Sequence, residues 1–223
     1  MSQQTLTQHL IAHSEPHWQH YIQHEFVRQL AAGTLPAECF EHYLKQDYLF
    51  LIQFARAFGL AAYKSRSLAE LKQAQSSLHG IIDIELDLHI GYCQQFGISK
   101  QALEETVEST PNMAYTRYVL ERGMAGDLLD LNVALAPCII GYAEVANWLQ
   151  TQSFLVTEGN PYSDWVQMYA SEEYQQVANT HRQACDAISM EQLGEPRVQA
   201  LCRTFDAATR LEVDFWQMGL DCR

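Results

Sequence analysis

The chain has 223 residues, 48% of them hydrophobic and 18% charged, with only 11 Gly and 6 Pro. That composition excludes a disordered or collagen-like polymer and suits one globular domain over residues 1–223. Lys and Arg number 14 against 27 Asp and Glu, and the net charge of −13 disfavours binding to nucleic acid or to an anionic membrane surface.

No repeat, charge block or Ser/Gly linker interrupts the sequence, and its apolar residues recur almost everywhere at helical spacing. Leu6, Leu10, Trp18, Tyr21, Ile22 and Phe26 predict a first helix, interrupted at Pro16. Gly33-Thr34-Leu35-Pro36 ends it, and Pro36 suits the first turn of a second helix carrying Phe40, Leu44, Leu51, Phe54, Ala55 and Phe58. Ser67-Leu68-Ala69-Glu70 is a capping box for a long third helix running to Gly97. Ser99 caps a short segment, and Thr110-Pro111 opens a helix that reaches Gly123. Another runs from about Asp127 to Gln150 with Pro137 inside it. After a turn at Gly159-Asn160-Pro161, helices over Tyr162–Met168, Ser171–Ser189 and Pro196–Met218 finish the chain. Strand alternation is absent, so the expected fold is an all-α bundle of about eight helices.

The cysteines are Cys39, Cys93, Cys138, Cys185, Cys202 and Cys222, with no CxxC pair to suggest structural zinc. The segment MSQQTLTQHL has neither the basic start nor the apolar core of a secretion signal, so reduced thiols and a cytoplasmic location are expected. The longest nearly apolar run, Val133 to Ala143, is too short to span a bilayer.

Three positions could carry chemistry. Cys138 follows Pro137 inside an apolar helix, with Tyr142 one turn on, and is either a core thiol or a nucleophile beside a helix irregularity. Glu212 lies on the apolar stripe of Phe205, Ala208, Phe215 and Trp216, either as a proton-transferring acid or as an ion-pair partner of Arg210 or Arg203. Asp47 shares a face with Tyr43, Phe50 and Phe54, where an acid among aromatics suits a flat, basic ring or simply a wet boundary.

The histidines are read as structural. His9, His13, His17, His20 and His24 form a solvated polar face interrupted by Pro16, and Glu85 and His89 form a salt-bridged i,i+4 pair. No metal ligands and no cofactor are expected. Glycine-rich phosphate loops and the GxSxG elbow are absent.

Taken together these residues resemble the TenA/thiaminase II family. The likeness runs from His24 and Gly33-Thr34-Leu35-Pro36 through Gln46-Asp47-Tyr48 to Ala114-Tyr115-Thr116-Arg117-Tyr118. It continues at Leu135-Ala136-Pro137-Cys138, Tyr142 and Glu144, then at Asn160-Pro161-Tyr162, Trp165, Met168-Tyr169 and Ser171-Glu172-Glu173. It ends at Glu212 with Phe215-Trp216-Gln217-Met218. The resemblance implies a haem-oxygenase-like helical fold, usually a homotetramer. It implies hydrolysis of 4-amino-5-aminomethyl-2-methylpyrimidine to the hydroxymethyl compound in thiamin salvage, and cleavage of thiamin by many members. It also implies a nucleophilic Cys138, a proton-transferring Glu212, and Asp47 holding the ring's amino group. Tyr115, Tyr142 and Tyr169 would line and orient the ring. Phe50 stands where many relatives carry tyrosine, and Ala207-Ala208-Thr209-Arg210-Leu211 where relatives often place serine and tyrosine. The competing expectations are a di-metal oxidase on the same fold, which Ala178 and Tyr174 before His181 argue against, and a non-catalytic pyrimidine-binding or regulatory protein.

Overall fold

The computed structural model describes residues 4–222, which form thirteen α-helices and one π-helical segment, with no strand among the described residues. In chain order the helices are α1 (Leu6–His13), α2 (Glu15–Ile22), α3 (Glu25–Ala32), α4 (Ala37–Lys64) and α5 (Leu68–His79). The π-helical segment (Gly80–Glu85) leads directly into α6 (Leu86–Gln95). Then come α7 (Lys100–Glu104), α8 (Thr110–Ala125), α9 (Leu128–Gln150), α10 (Ser163–Ala170), α11 (Glu172–Cys185), α12 (Met190–Leu193) and α13 (Glu195–Asp221). The all-α expectation holds. The helix count exceeds eight mainly because the first predicted helix is three.

The chain packs as two compact units, one of residues up to Leu35 with Asn132–Gln217, the other of Pro36–Leu131 with the residues from Met218. In the first unit, the break after α1 falls at Ser14, and Pro16 lies in the first turn of α2, where its missing N–H costs nothing. A second break at His24 is capped by the residue itself, whose Nδ1 accepts from the Phe26 N–H at 3.2 Å. Gly33 then ends α3 in the left-handed region at φ 70°, the conformation glycine adopts without strain. The Asn160 side chain donates to the carbonyls of Leu30 and Ala31 and accepts from the Tyr162 N–H, so the predicted turn ties back to the end of α3.

The core of this unit is aromatic. Trp216 is fully buried, with Tyr21, Phe26, Tyr142 and Trp165 around it. Helix α9 is long and apolar enough to cross a membrane, but 83% of its most apolar window is buried within the fold. It continues through Pro137, whose carbonyl accepts a hydrogen bond from the Tyr21 hydroxyl at 3.3 Å. Glycine is required one turn later: a Cβ at Gly141 would stand 2.2 Å from the Tyr21 ring.

In the second unit, α5, the π-helical segment, α6, α7 and α8 pack on the long α4. The capping box of Ser67 and Glu70 forms as expected, Gly97 takes φ 75° just beyond α6, and Ser99 and Ser109 cap α7 and α8. The third predicted helix is not uniform, however. Its middle is the π-helical segment, whose wider turn re-phases every side chain that follows.

One expectation is overturned. Cys39 and Cys222 form a disulfide, with Cα atoms 4.8 Å apart and a sequence separation of 183. Local spacing carries no signal for a bond between the start of α4 and the residue after α13. Cys93, Cys138, Cys185 and Cys202 are buried and outside any disulfide.

Candidate functional site

In the first unit, α9 and α13 present the two residues suited to covalent and proton-transfer chemistry. Cys138 is 6% exposed, with Tyr142 one turn along the same face. Glu212 is 1% exposed and lies one turn before Trp216. The rings of Tyr142 and Trp216 have centroids 5.1 Å apart, so the faces bearing the thiol and the acid meet in one aromatic cluster. Tyr169 on α10 joins it, 4.8 Å from Tyr142 and 4.7 Å from Tyr174, and the Tyr174 hydroxyl donates to the Cys138 carbonyl at 3.5 Å. Arg210, one of the two expected ion-pair partners of Glu212, instead lies 3.9 Å from Asp206. Four of the seven predicted site residues lie on α9, α10 and α13 of this unit: Cys138, Tyr142, Tyr169 and Glu212, with Tyr142 and Tyr169 in direct ring contact.

In the second unit, α4 and α8 bring the other three together. Asp47 is 7% exposed, and burial raises its carboxyl to about pKa 7. Phe50, one turn on, stacks on Tyr115 of α8 at 5.6 Å and 22°, and on Phe54 at 5.4 Å. A buried amide pair holds the two helices in register. Gln46 accepts from the Ser109 N–H at 2.9 Å and donates to the Val107 carbonyl at 2.9 Å, while Asn112 donates to the Gln46 carbonyl at 2.8 Å. A carboxyl beside stacked aromatic rings is a binding arrangement for a flat, hydrogen-bonding ring.

The predicted pairing of Glu85 with His89 is not what forms. His89 turns to α4, with Nδ1 3.4 Å from Asp47 Oδ2 and Nε2 2.9 Å from the Leu44 carbonyl. Glu85 is raised to about pKa 7, first by burial and then by the charge of Asp47. Burial lowers the His89 pKa, an effect partly offset by its bond to Leu44. The i,i+4 spacing drew attention to these residues, but it could not show that Asp47, 38 positions before Glu85 and 42 before His89, is what they meet.

The remaining histidines are mostly structural. His17 bonds Asp206 at 2.7 Å, and His13 and His20 are exposed, as a solvated face requires. His24 departs from it, being buried as the cap of α3. His181 meets the Asn132 carbonyl at 2.8 Å, and burial lowers it to about pKa 4. No three His, Cys, Asp or Glu side chains among the described residues are grouped to hold a metal ion.

Residues 11–222 match the model of the TENA/THI-4/PQQC family. The chain belongs to that family. It is 45% identical to an uncharacterized protein of Haemophilus influenzae over 97% of this chain and 99% of that one. It is 32% identical to an aminopyrimidine aminohydrolase of Halalkalibacterium halodurans, over 94% of this chain and 93% of the relative. The crystal structure of a TenA family transcription regulator from Silicibacter sp. TM1040 superposes with a TM-score of 0.90 at 44% identity, covering 96% of each chain. Membership agrees with the sequence blocks quoted above, and the family match ends just beyond the last of them.

The two departures from the family pattern have a structural setting. Phe50 contributes a stacking face next to Asp47 with no hydroxyl. Before Glu212, Thr209 is fully buried and its hydroxyl donates to the Phe205 carbonyl at 2.9 Å, so a short polar side chain is satisfied within α13.

Proposed function

We propose that the protein hydrolyses aminopyrimidines in thiamin salvage. It would convert 4-amino-5-aminomethyl-2-methylpyrimidine to the hydroxymethyl compound and ammonia, and accept thiamin as a further substrate. The observation that carries this reading is the convergence of a buried thiol face and a buried acid face on the Tyr142–Trp216 ring pair. The 32% identity to an aminopyrimidine aminohydrolase supports it. Binding alone requires neither a nucleophile nor a proton carrier.

In the proposed mechanism Cys138 is the nucleophile and Glu212 the acid–base group. The Cys138 sulfur adds to a ring carbon of the pyrimidine, and a ring nitrogen takes up a proton as aromaticity is lost. The ring's electrons then expel the amine from the exocyclic methylene, with Glu212 supplying and recovering protons. Water adds to the methylene, the sulfur departs, and the aromatic ring is restored. Asp47 accepts from the ring's amino group, while Phe50, Tyr115, Tyr142 and Tyr169 supply ring faces and hydroxyls that orient it. No cofactor is needed for any step.

We place this activity in the cytoplasm and in a homotetramer. Exposed Leu68, Ile84 and Leu88 on α5, the π-helical segment and α6 support self-association, since such apolar surface favours burial against another chain. The test of function is ammonia release from the aminomethylpyrimidine, run beside thiamin cleavage on the purified protein. Steady release of one ammonia per hydroxymethylpyrimidine is expected, and release no faster than without protein sinks the reading.

A further inference from the structure

The contact between His89 and Asp47 has a chemical consequence that depends on which ring nitrogen carries hydrogen. A backbone carbonyl only accepts, so the 2.9 Å contact with Leu44 requires hydrogen on His89 Nε2. The neutral ring therefore turns its Nδ1 lone pair toward Asp47 Oδ2, 3.4 Å away. Two bare lone pairs facing each other would repel, and at 3.4 Å the atoms lie at the outer edge of hydrogen-bond reach, where one hydrogen, on the carboxyl or on the ring, relieves that repulsion. With that hydrogen in place Oδ2 is engaged. Asp47 Oδ1 meets no donor among the described residues and is left to accept from a ligand.

We propose that His89 is a positioning residue which keeps Asp47 an acceptor toward the ligand, so that the protein selects a pyrimidine bearing an amino group over one bearing an oxo group at the same carbon. This rests on the aminopyrimidine reading above and deepens it. An amino group donates to Oδ1. An oxo group brings a second acceptor against it, and a buried acceptor without a donor is costly. Were the Asp47 hydrogen not held by His89, the carboxyl could rotate it toward an oxo group and discrimination would fall.

The setting of the pair supports this assignment. The side chains of His89 and Asp47 are 9% and 10% exposed, so water competes little for the contact. The π-helical segment re-phases α6, and Glu85, His89 and Cys93 recur at i, i+4 and i+8 along it. Glu85 and Cys93 both feel the Asp47 charge, and Lys45 acts on Cys93 from α4. A second acid close to Asp47 disfavours two charges at once, which favours a retained proton there. The 3.4 Å separation is long, as such contacts often are before a ligand draws them in.

The test compares binding of 5-hydroxymethyl-2-methylpyrimidine carrying either a 4-amino or a 4-oxo group, by calorimetry on the full chain. Wild type should favour the amino ligand by at least about 100-fold. His89→Gln keeps a donor for Leu44 but loses the Asp47 partner, so the preference should fall by about tenfold or more. His89→Asn places an amide near the Nδ1 position and should retain most of it. An unchanged preference in His89→Gln, with tight amino-ligand binding, overturns the proposal and leaves the hydrolase reading standing. Binding of neither ligand by wild type overturns both. A nitrogen-detected NMR spectrum of the wild-type histidines covers the case of variants that do not fold. A neutral His89 with hydrogen on Nδ1 and none on Nε2 would refute the assignment by itself.

Discussion

At the scale of single residues, Cys138 and Glu212 differ in what a conservative substitution removes. Cys138→Ser changes one atom, and a hydroxyl ionises far less readily than a thiol at neutral pH. Turnover should nearly vanish while the aminopyrimidine still binds within a few-fold of wild type. Glu212→Gln keeps size and much hydrogen bonding but loses the transferable proton. Its kcat should fall by about 10²–10⁴-fold, with KM little changed. Kinetics of both variants on the aminomethylpyrimidine check this, and a Cys138→Ser enzyme with substantial activity would rule out the covalent route. The sequence made both residues visible for the same reason: each is a reactive group on an otherwise apolar helical face. Asp47 was visible in the same way. Its partner His89 was not, because helical periodicity ranks neighbours along one helix and is silent about the helix opposite.

At the scale of elements, the sequence was most legible where local chemistry decides. The Ser67 capping box, the Ser99 and Ser109 caps and the left-handed Gly97 all lie within a few residues of their partners. Two features escaped. The π-helical segment has no breaker residue at its start apart from Gly80, and the apolar spacing runs through it. The divided N-terminal helix turns at Ser14, two residues before the proline that announced it. Helix α9 offers a direct test of close packing. At Gly141 an added methyl would overlap the buried Tyr21 ring, which is itself hydrogen-bonded to Pro137 and cannot simply swing aside. Gly141→Ala should therefore destabilise the fold by about 1–3 kcal/mol in urea denaturation. Because Tyr21 packs on Trp216, the substitution should also lower kcat. A variant as stable and active as wild type would show that the ring has room to move.

At the scale of the whole molecule, burial sets opposing pH dependences. Asp47 and Glu85, raised to about pKa 7, hold protons in the folded state that the unfolded chain has released above pH 4–5. Their contribution is complete at low pH and is lost as pH rises toward and through 7. His181, lowered to about pKa 4, acts the other way, since the unfolded chain takes up its proton first as pH falls below about 6.5. Glu85→Gln isolates one limb. Relative to wild type, its stability should gain about 3 kcal/mol between pH 4 and pH 8, read from urea midpoints at several pH values. A gain independent of pH would show that Glu85 does not titrate in that range.

The Cys39–Cys222 bridge has a mechanical side. Force applied at the two ends of the oxidised chain passes through the bridge and bypasses nearly everything between. The loop it closes, a sequence separation of 183, would then add nothing to the extension, however completely its helices gave way. At ~3.3–3.6 Å per residue, that conceals about 60–65 nm of contour length. Stretching single molecules in an optical trap before and after adding a phosphine reductant should reveal that hidden length as a separate gain. Traces of equal length under both conditions would show that the bridge does not carry the load.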